Sequence, residues 1–303
     1  MGFELTILGS SSAIPTFQRF PTSQVLKHNE RLFLIDCGEG TQMQLNKYEI
    51  KTHKINHIFI SHLHGDHYFG LMGLLSSMHL LGRTAELNVF GHPLLKEIID
   101  LQLRASNTTL RYNLIFHPLG VEKGELIFED DELTVTEISL NHRIPCTGFL
   151  FKEKNKPRKL IKEKIEEYNI PIPSLLDIKK GQDYMNEAGV TIPNEELTLP
   201  PSPPKSYVFC SDTIYDESII DSIKEVDLLY HESTFMQDLL TRAKETYHTT
   251  ALEAGTIALK ANVKKLLIGH FSSRYKFLEP FLLEAQSVFP NTELAVEGAI
   301  FNI

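Results

Sequence analysis

Three imidazoles and a carboxylate fall within seven residues, Ser61-His62-Leu63-His64-Gly65-Asp66-His67, directly behind the apolar run Asn56-His57-Ile58-Phe59-Ile60. The run reads as a buried strand. Phe69-Gly70-Leu71-Met72-Gly73-Leu74-Leu75 follows, continuing to about residue 82 with apolar residues at helical spacing. The cluster is therefore a strand-to-helix loop, where α/β sheets carry their chemistry. Imidazole nitrogen and carboxylate oxygen suit zinc and similar divalent ions. His62 and His64, alternating on an extended backbone, direct both rings to one side and can hold one ion together. Asp66 and His67 follow across the turn that Gly65 allows and can serve a second ion; paired sites hold their ions roughly 3.5–4 Å apart.

A chain of 303 residues with 42% apolar content has material for one large or two modest domains around a substantial core. No apolar stretch approaches the roughly 20 residues that span a bilayer, and the N-terminus lacks the charge-then-apolar layout of a signal peptide. A cytoplasmic protein is expected, with no membrane partner. Cys37, Cys146 and Cys210 are scattered and odd in number, which argues against a disulfide framework and fits a reducing compartment. The net charge of −9 disfavours a nucleic-acid partner, because phosphates are met by Lys and Arg. Residues 152–180 run the other way, with nine Lys or Arg against five Asp or Glu, a net of about +4 against −13 elsewhere.

Strands are expected at residues 4–8, 22–27, 31–35, 86–90, 133–138, 148–151, 207–210, 226–230, 264–268 and 293–296. Helices are expected at 93–104, 251–261 and about 279–288. On this reading His62, His142, Asp212, Glu232 and His270 all lie just past strand ends, which a layered domain can gather at one edge. The first ion needs more than two protein ligands, which nominates His142, and a carboxylate at a strand end such as Asp212 can bridge two cations. Asp36, closing the 31–35 strand, is placed to hold a ligand imidazole by its other nitrogen. The small-residue loop 9–15 is expected beside the metals, with Arg19 in reach of a substrate phosphate. His28, His53, His57, His79, His92 and His117 lack such placement and read as surface or core residues. Residues 152–205 combine the basic run with a proline-broken polar stretch, and read as an arm inserted into a single domain spanning residues 1–303.

His62-x-His64-x-Asp66-His67, with the later His142, Asp212 and His270, resembles the metallo-β-lactamase superfamily. Further motifs resemble more narrowly the ribonuclease Z family of tRNA 3′-processing endonucleases, in its short form. They are Leu34-Ile35-Asp36-Cys37-Gly38-Glu39-Gly40-Thr41-Gln42, Asn141-His142-Arg143-Ile144-Pro145, His231-Glu232-Ser233-Thr234-Phe235 with His248, and Gly269-His270-Phe271-Ser272-Ser273-Arg274-Tyr275. The resemblance implies an αββα sandwich carrying two Zn²⁺ ions, a site that manganese or iron can also occupy. It implies His62, His64 and His142 on the first ion, Asp66, His67 and His270 on the second, and Asp212 between them. It also implies a homodimer whose protruding arm grips a precursor tRNA at the partner's active site. The expected reaction removes the 3′ trailer, leaving a 3′-hydroxyl on the tRNA and a 5′-phosphate on the trailer. Asp66 would orient or deprotonate the attacking water, and His248, polarised by Glu232, would protonate the leaving oxygen. The rival readings are a hydrolase of small phosphodiesters or other small molecules, for which a basic arm has no use, and an RNA-binding scaffold with structural metals.

Overall fold

The computed structural model describes residues 2–16, 18–120 and 124–303. Its main body is a pair of seven-stranded sheets. Strands β1 (Phe3–Gly9), β2 (Ser23–His28) and β3 (Arg31–Cys37) form an antiparallel meander. β4 (Ile55–Phe59), β5 (Leu87–Gly91) and β6 (Leu114–Pro118) then add in parallel to β3. The second sheet takes β7 (Leu126–Glu129), β8 (Leu133–Leu140), β9 (Cys146–Glu153), β10 (Ser206–Cys210), β11 (Leu228–Glu232), β12 (Leu266–Gly269) and β13 (Thr292–Leu294). Its order is β13-β12-β11-β10-β9-β8-β7, and β10 to β13 are mutually parallel. The last strand, β14 (Ile300–Asn302), returns to pair with β1 of the first sheet.

Side-chain alternation along these strands separates two kinds of core. The faces turned toward each other are aromatic: Phe59 lies 5.4 Å from Phe149 and 5.3 Å from Phe151, and Phe33 lies 5.8 Å from Phe151. His57 packs among them, 4.7 Å from Phe128, and burial pushes its imidazole down to about 4. It is a neutral core residue, as its position in the sequence suggested. The opposite faces are aliphatic. Leu34, Ile58 and Val89 of the first sheet meet Leu45 of α1 (Thr41–Lys47), Leu74 and Met78 of α3 (Leu71–Leu80), and Leu95 and Ile99 of α4 (Pro93–Ala105). Val208, Leu229 and Ile268 of the second meet Ala254, Ile257 and Ala258 of α6 (Ala251–Lys260) and Phe281 and Ala285 of α7 (Glu279–Gln286). The result is an αββα sandwich.

The expected single helix after the histidine cluster is in fact two, α2 (Gly65–Tyr68) and α3, so Asp66 and His67 sit on one helical turn. The break falls at Gly70, whose N–H donates to the Cys37 carbonyl at 2.9 Å. A Cβ on Gly70 would stand 2.2 Å from the Gly38 carbonyl oxygen, and one on Gly38 would stand 2.4 Å from that of Asp66. Two glycines therefore let the turn after β3 press against the histidine loop. The sequence reading missed β6 and β7, in which no residue is fully buried to impose a clean alternation.

Residues 129–134 and 152–204 form a second compact unit. It has its own small core of Ile170, Ile178, Ile192 and Leu197, pinned by the buried Asn194 amide, which donates to the carbonyls of Ile178 (2.7 Å) and Gln182 (2.8 Å). Proline-broken as it is, the segment packs against itself. Its charge also differs from that of the basic run alone. Asp183, Glu187, Glu195 and Glu196 bring residues 152–204 to nine bases and nine acids, and Glu129, Asp130, Asp131 and Glu132 belong to the same unit. No helix among the described residues is long and apolar enough to cross a membrane.

Candidate metal centre

Parallel pairing sets the site. Cys210 lies opposite His231 and Glu232 opposite Gly269, so the residues leaving β10, β11 and β12 emerge side by side. Asp212, Glu232 and His270 thereby meet at one sheet edge. The first sheet does the same with Ile35 opposite Phe59, which places Asp36 beside the segment leading into His62. Thr147 N–H donates to the Ser61 carbonyl at 3.0 Å, joining the two edges.

Two donor sets face each other across this junction. In the first, His62 Nε2 is 3.0 Å from His64 Nδ1 and 3.6 Å from Asp212 Oδ2, while His142 Nε2 is 3.2 Å from His64 Nδ1 and 3.8 Å from Asp212 Oδ2. Four donors with bonds of about 2.0–2.1 Å to one tetrahedral zinc would stand about 3.3 Å apart, so the spacing fits such an ion. In the second, His67 Nε2 and His270 Nε2 lie 3.4 and 3.2 Å from Asp212 Oδ1, and 3.6 and 3.3 Å from Asp66 Oδ2. Asp212 thus offers one oxygen to each set. Its Oδ1 and His67 Nε2 are buried without a hydrogen-bond partner, orphans of the kind a cation satisfies.

Each imidazole that turns Nε2 inward has Nδ1 held from behind. His67 Nδ1 donates to Asp36 Oδ2 at 2.6 Å, His270 Nδ1 to Thr234 Oγ1 at 2.8 Å and His142 Nδ1 to the Tyr247 carbonyl at 2.8 Å. His62 Nδ1 meets Ser61 Oγ at 3.0 Å. Such partners fix the tautomer and aim the ring. Ser61 Oγ in turn donates to Asp36 Oδ2 at 2.8 Å, and Thr234 Oγ1 to Glu232 Oε2 at 2.7 Å. Two buried carboxylates therefore each hold one imidazole directly and another through a hydroxyl. Glu232 Oε1 takes His248 Nδ1 at 2.8 Å, and the His248 ring stands 4.0 Å from Asp212 Oδ2 at its nearer nitrogen.

The electrostatics follow from this crowding. Burial opposes charge on His67, but Asp212, Asp66 and Asp36 overcome it and hold its proton affinity well above that of a free imidazole. A field that draws a proton onto His67 also draws a cation. Burial likewise disfavours the Asp66 carboxylate, and His67 and His270 outweigh it, keeping the group ionised below the usual carboxylate range. For His248, burial pulls down, but Glu232 and more distant carboxylates push its imidazole up to about 9. These carboxylates favour its protonated form.

All eight of Asp66, His62, His64, His67, His142, Asp212, His270 and the Glu232-held His248 named from the sequence are brought together, and Asp36 lies behind His67 as its position suggested. Arg19 is not where it was expected. Its Nη2 donates to the carbonyls of Tyr275 (2.8 Å) and Ser272 (3.3 Å), so it ties the 9–20 loop to the segment after His270 instead of presenting a cation to substrate. The Ala13 N–H on Asp66 Oδ2 (2.6 Å) puts the 9–15 loop beside the donor sets, as expected, whereas Ser61, Thr234 and the Tyr247 carbonyl were not foreseen as parts of the site. The two hydroxyls had a signal in standing beside named functional residues; the carbonyl had none. Four non-glycine residues here, Ala13, Asp36, Tyr247 and His270, hold φ between 55° and 63°, strain of the sort that gathers at functional sites.

An αββα sandwich with a histidine-aspartate centre at its sheet edges is the architecture of metallo-β-lactamase-fold proteins. The metallo-β-lactamase-fold protein YhfI of Bacillus subtilis matches over 100% of both chains with a TM-score of 0.72 at 18% identity. Human tRNase Z, short form, matches over 98% of both with the same TM-score at 27% identity. The Ribonuclease Z of Bacteroides fragilis strain YCH46 is 50% identical over 301 residues, 99% of each chain, and residues 3–156 match the family described as Anti-Pycsar protein Apyc1. The chain belongs to the ribonuclease Z family.

Removing the carboxylate behind His67 should loosen the centre without dismantling it. Asp36→Asn is expected to weaken metal binding roughly 10- to 100-fold, read by competition with a chromogenic chelator.

Proposed function

We propose that the protein is a metal-dependent endoribonuclease that removes the 3′ trailer from precursor tRNA. The observation that carries the reading is the combination of two donor sets sharing Asp212 with a carboxylate-held imidazolium, His248, beside them. A phosphodiester is a poor electrophile whose leaving alkoxide needs a proton, and the site supplies for both. His62, His64 and His142 would hold one Zn²⁺, Asp66, His67 and His270 another, with Asp212 on both; the same ligands accept manganese or iron. Bound there, a cation pair acidifies water and neutralises charge developing on the phosphoryl oxygens.

The chain's own groups do the rest. Asp66, pinned through Oδ2 by the Ala13 N–H, orients or deprotonates the attacking water. His248 is fixed through Nδ1 by Glu232, which leaves Nε2 to protonate the departing 3′-oxygen of the tRNA. The products of this scheme are a tRNA 3′-hydroxyl and a trailer 5′-phosphate. Residues 152–205 act as the tRNA-gripping arm. In the second unit five lysines face carboxylates, for example Lys156 on Glu153 at 2.7 Å, whereas Lys152, Arg158, Lys159 and Lys179 have no acidic partner among the described residues. The Arg158 backbone N–H donates to the Lys179 carbonyl at 3.0 Å, which brings the backbone carrying Arg158 and Lys159 beside that carrying Lys179. Local charge, not the balanced total, is what would meet phosphates. The reading includes a cytoplasmic homodimer, for which light scattering should give the mass of two chains.

Incubating the metal-loaded protein with an end-labelled precursor tRNA should give chelator-sensitive cleavage at one position beside the acceptor stem. An intact precursor together with hydrolysis of a small phosphodiester would transfer the assignment to the rival. His248→Ala should slow single-turnover RNA cleavage roughly 100- to 10,000-fold. The loss should be far smaller on bis(p-nitrophenyl) phosphate, whose leaving group departs without a proton. Lys159→Glu with Lys179→Glu should raise KM for the precursor roughly tenfold and flatten its salt dependence.

A further inference from the structure

Helix α5 (Leu240–Thr246) ends at Tyr247, which takes φ 58° and ψ 49°. This is the left-handed corner that closes many helices, and glycine usually occupies it because any Cβ is disfavoured there. The corner itself is useful: it aims the Tyr247 carbonyl at His142 Nδ1, 2.8 Å away, and turns the next residue, His248, toward Glu232. Glycine would serve the backbone equally well. What the chain has in its place is an aromatic ring, 40% exposed, whose hydroxyl has no hydrogen-bond partner and whose ring meets no other ring or cation among the described residues.

We propose that Tyr247 stacks on an unpaired nucleobase flanking the scissile phosphate. The inference rests on the RNA-cleaving reading above and adds to it a residue that selects single-stranded over paired substrate. Tyr247 is the residue before the group assigned to protonate the leaving oxygen, and its carbonyl holds a residue of the first donor set, so its exposed ring belongs to the rim of the centre. Past its acceptor stem a precursor tRNA is single-stranded, and unstacked bases are read by stacking on aromatic side chains. Stacking tolerates any base because every base offers a π-face.

The chain contains no tryptophan, so Tyr247→Trp in the full-length, metal-loaded protein provides a single reporter indole at this position. A tRNA ending in one unpaired 3′ base should quench its emission saturably, and the same tRNA trimmed to a blunt acceptor stem should not. Equal quenching by both, or none by either, overturns the proposal. In parallel, Tyr247→Leu should raise KM roughly 5- to 100-fold with a small change in kcat, and the ring-retaining Tyr247→Phe should bring KM back toward the parent's value. Tyr247→Gly, free of the backbone strain, should melt higher yet share the KM defect. If Phe and Leu variants behave alike while the parent cuts precursor, only this inference fails. If the parent leaves the precursor intact, the proposed function has failed and the inference falls with it.

Discussion

Four carboxylates, Asp36, Asp66, Asp212 and Glu232, stand almost out of water at one end of the sandwich, and that arrangement is untenable without positive charge among them. Imidazoles provide part of it, and metal held by the same residues would provide the rest. The aromatic layer between the sheets fixes where the strands end, the strand ends fix where the acids lie, and the acids fix which rings must face inward. Metal binding and folding of this edge are therefore linked, since a centre made of mutually repelling acids is relieved by each ion it takes. The glycines at 38 and 70 belong to the same argument: without their close approach the histidine loop could not be pressed over Asp36.

The two halves of the centre are braced alike although they come from different sheets. Asp36 reaches His67 directly and His62 through Ser61; Glu232 reaches His248 directly and His270 through Thr234. In each case a hydroxyl both donates and accepts, which lets one negative charge orient two rings without competing for one nitrogen. Ser61 and Thr234 carry hydroxyls on side chains short enough to sit between the carboxylate and the ring.

The donor residues were legible in the sequence because each follows a strand, and strand ends can be read from apolar runs. The details came from partners remote in the chain. Nothing local to Arg19 indicates that its guanidinium meets carbonyls more than 250 positions away, and nothing near His142 indicates the Tyr247 carbonyl. β6 and β7 escaped notice because their half-exposed side chains give no alternation. Residues 152–180 are net positive in the sequence, but the acids that balance them come later in the segment and from residues 129–132, which only the fold brings into the same unit.

Glu232 also limits how this enzyme can evolve. Its Oε1 sets the acidity of His248 while its Oε2, through Thr234, aims His270. With His248 in its proposed role as the acid, a lineage adapting to a different leaving group cannot retune that group by altering the carboxylate without disturbing His270 of the second donor set at the same moment. The changes open to it lie among side chains that touch neither oxygen. Variation should therefore accumulate in positions such as the Tyr247 side chain, whose backbone carbonyl holds His142 whatever the side chain, while the carboxylate stays fixed.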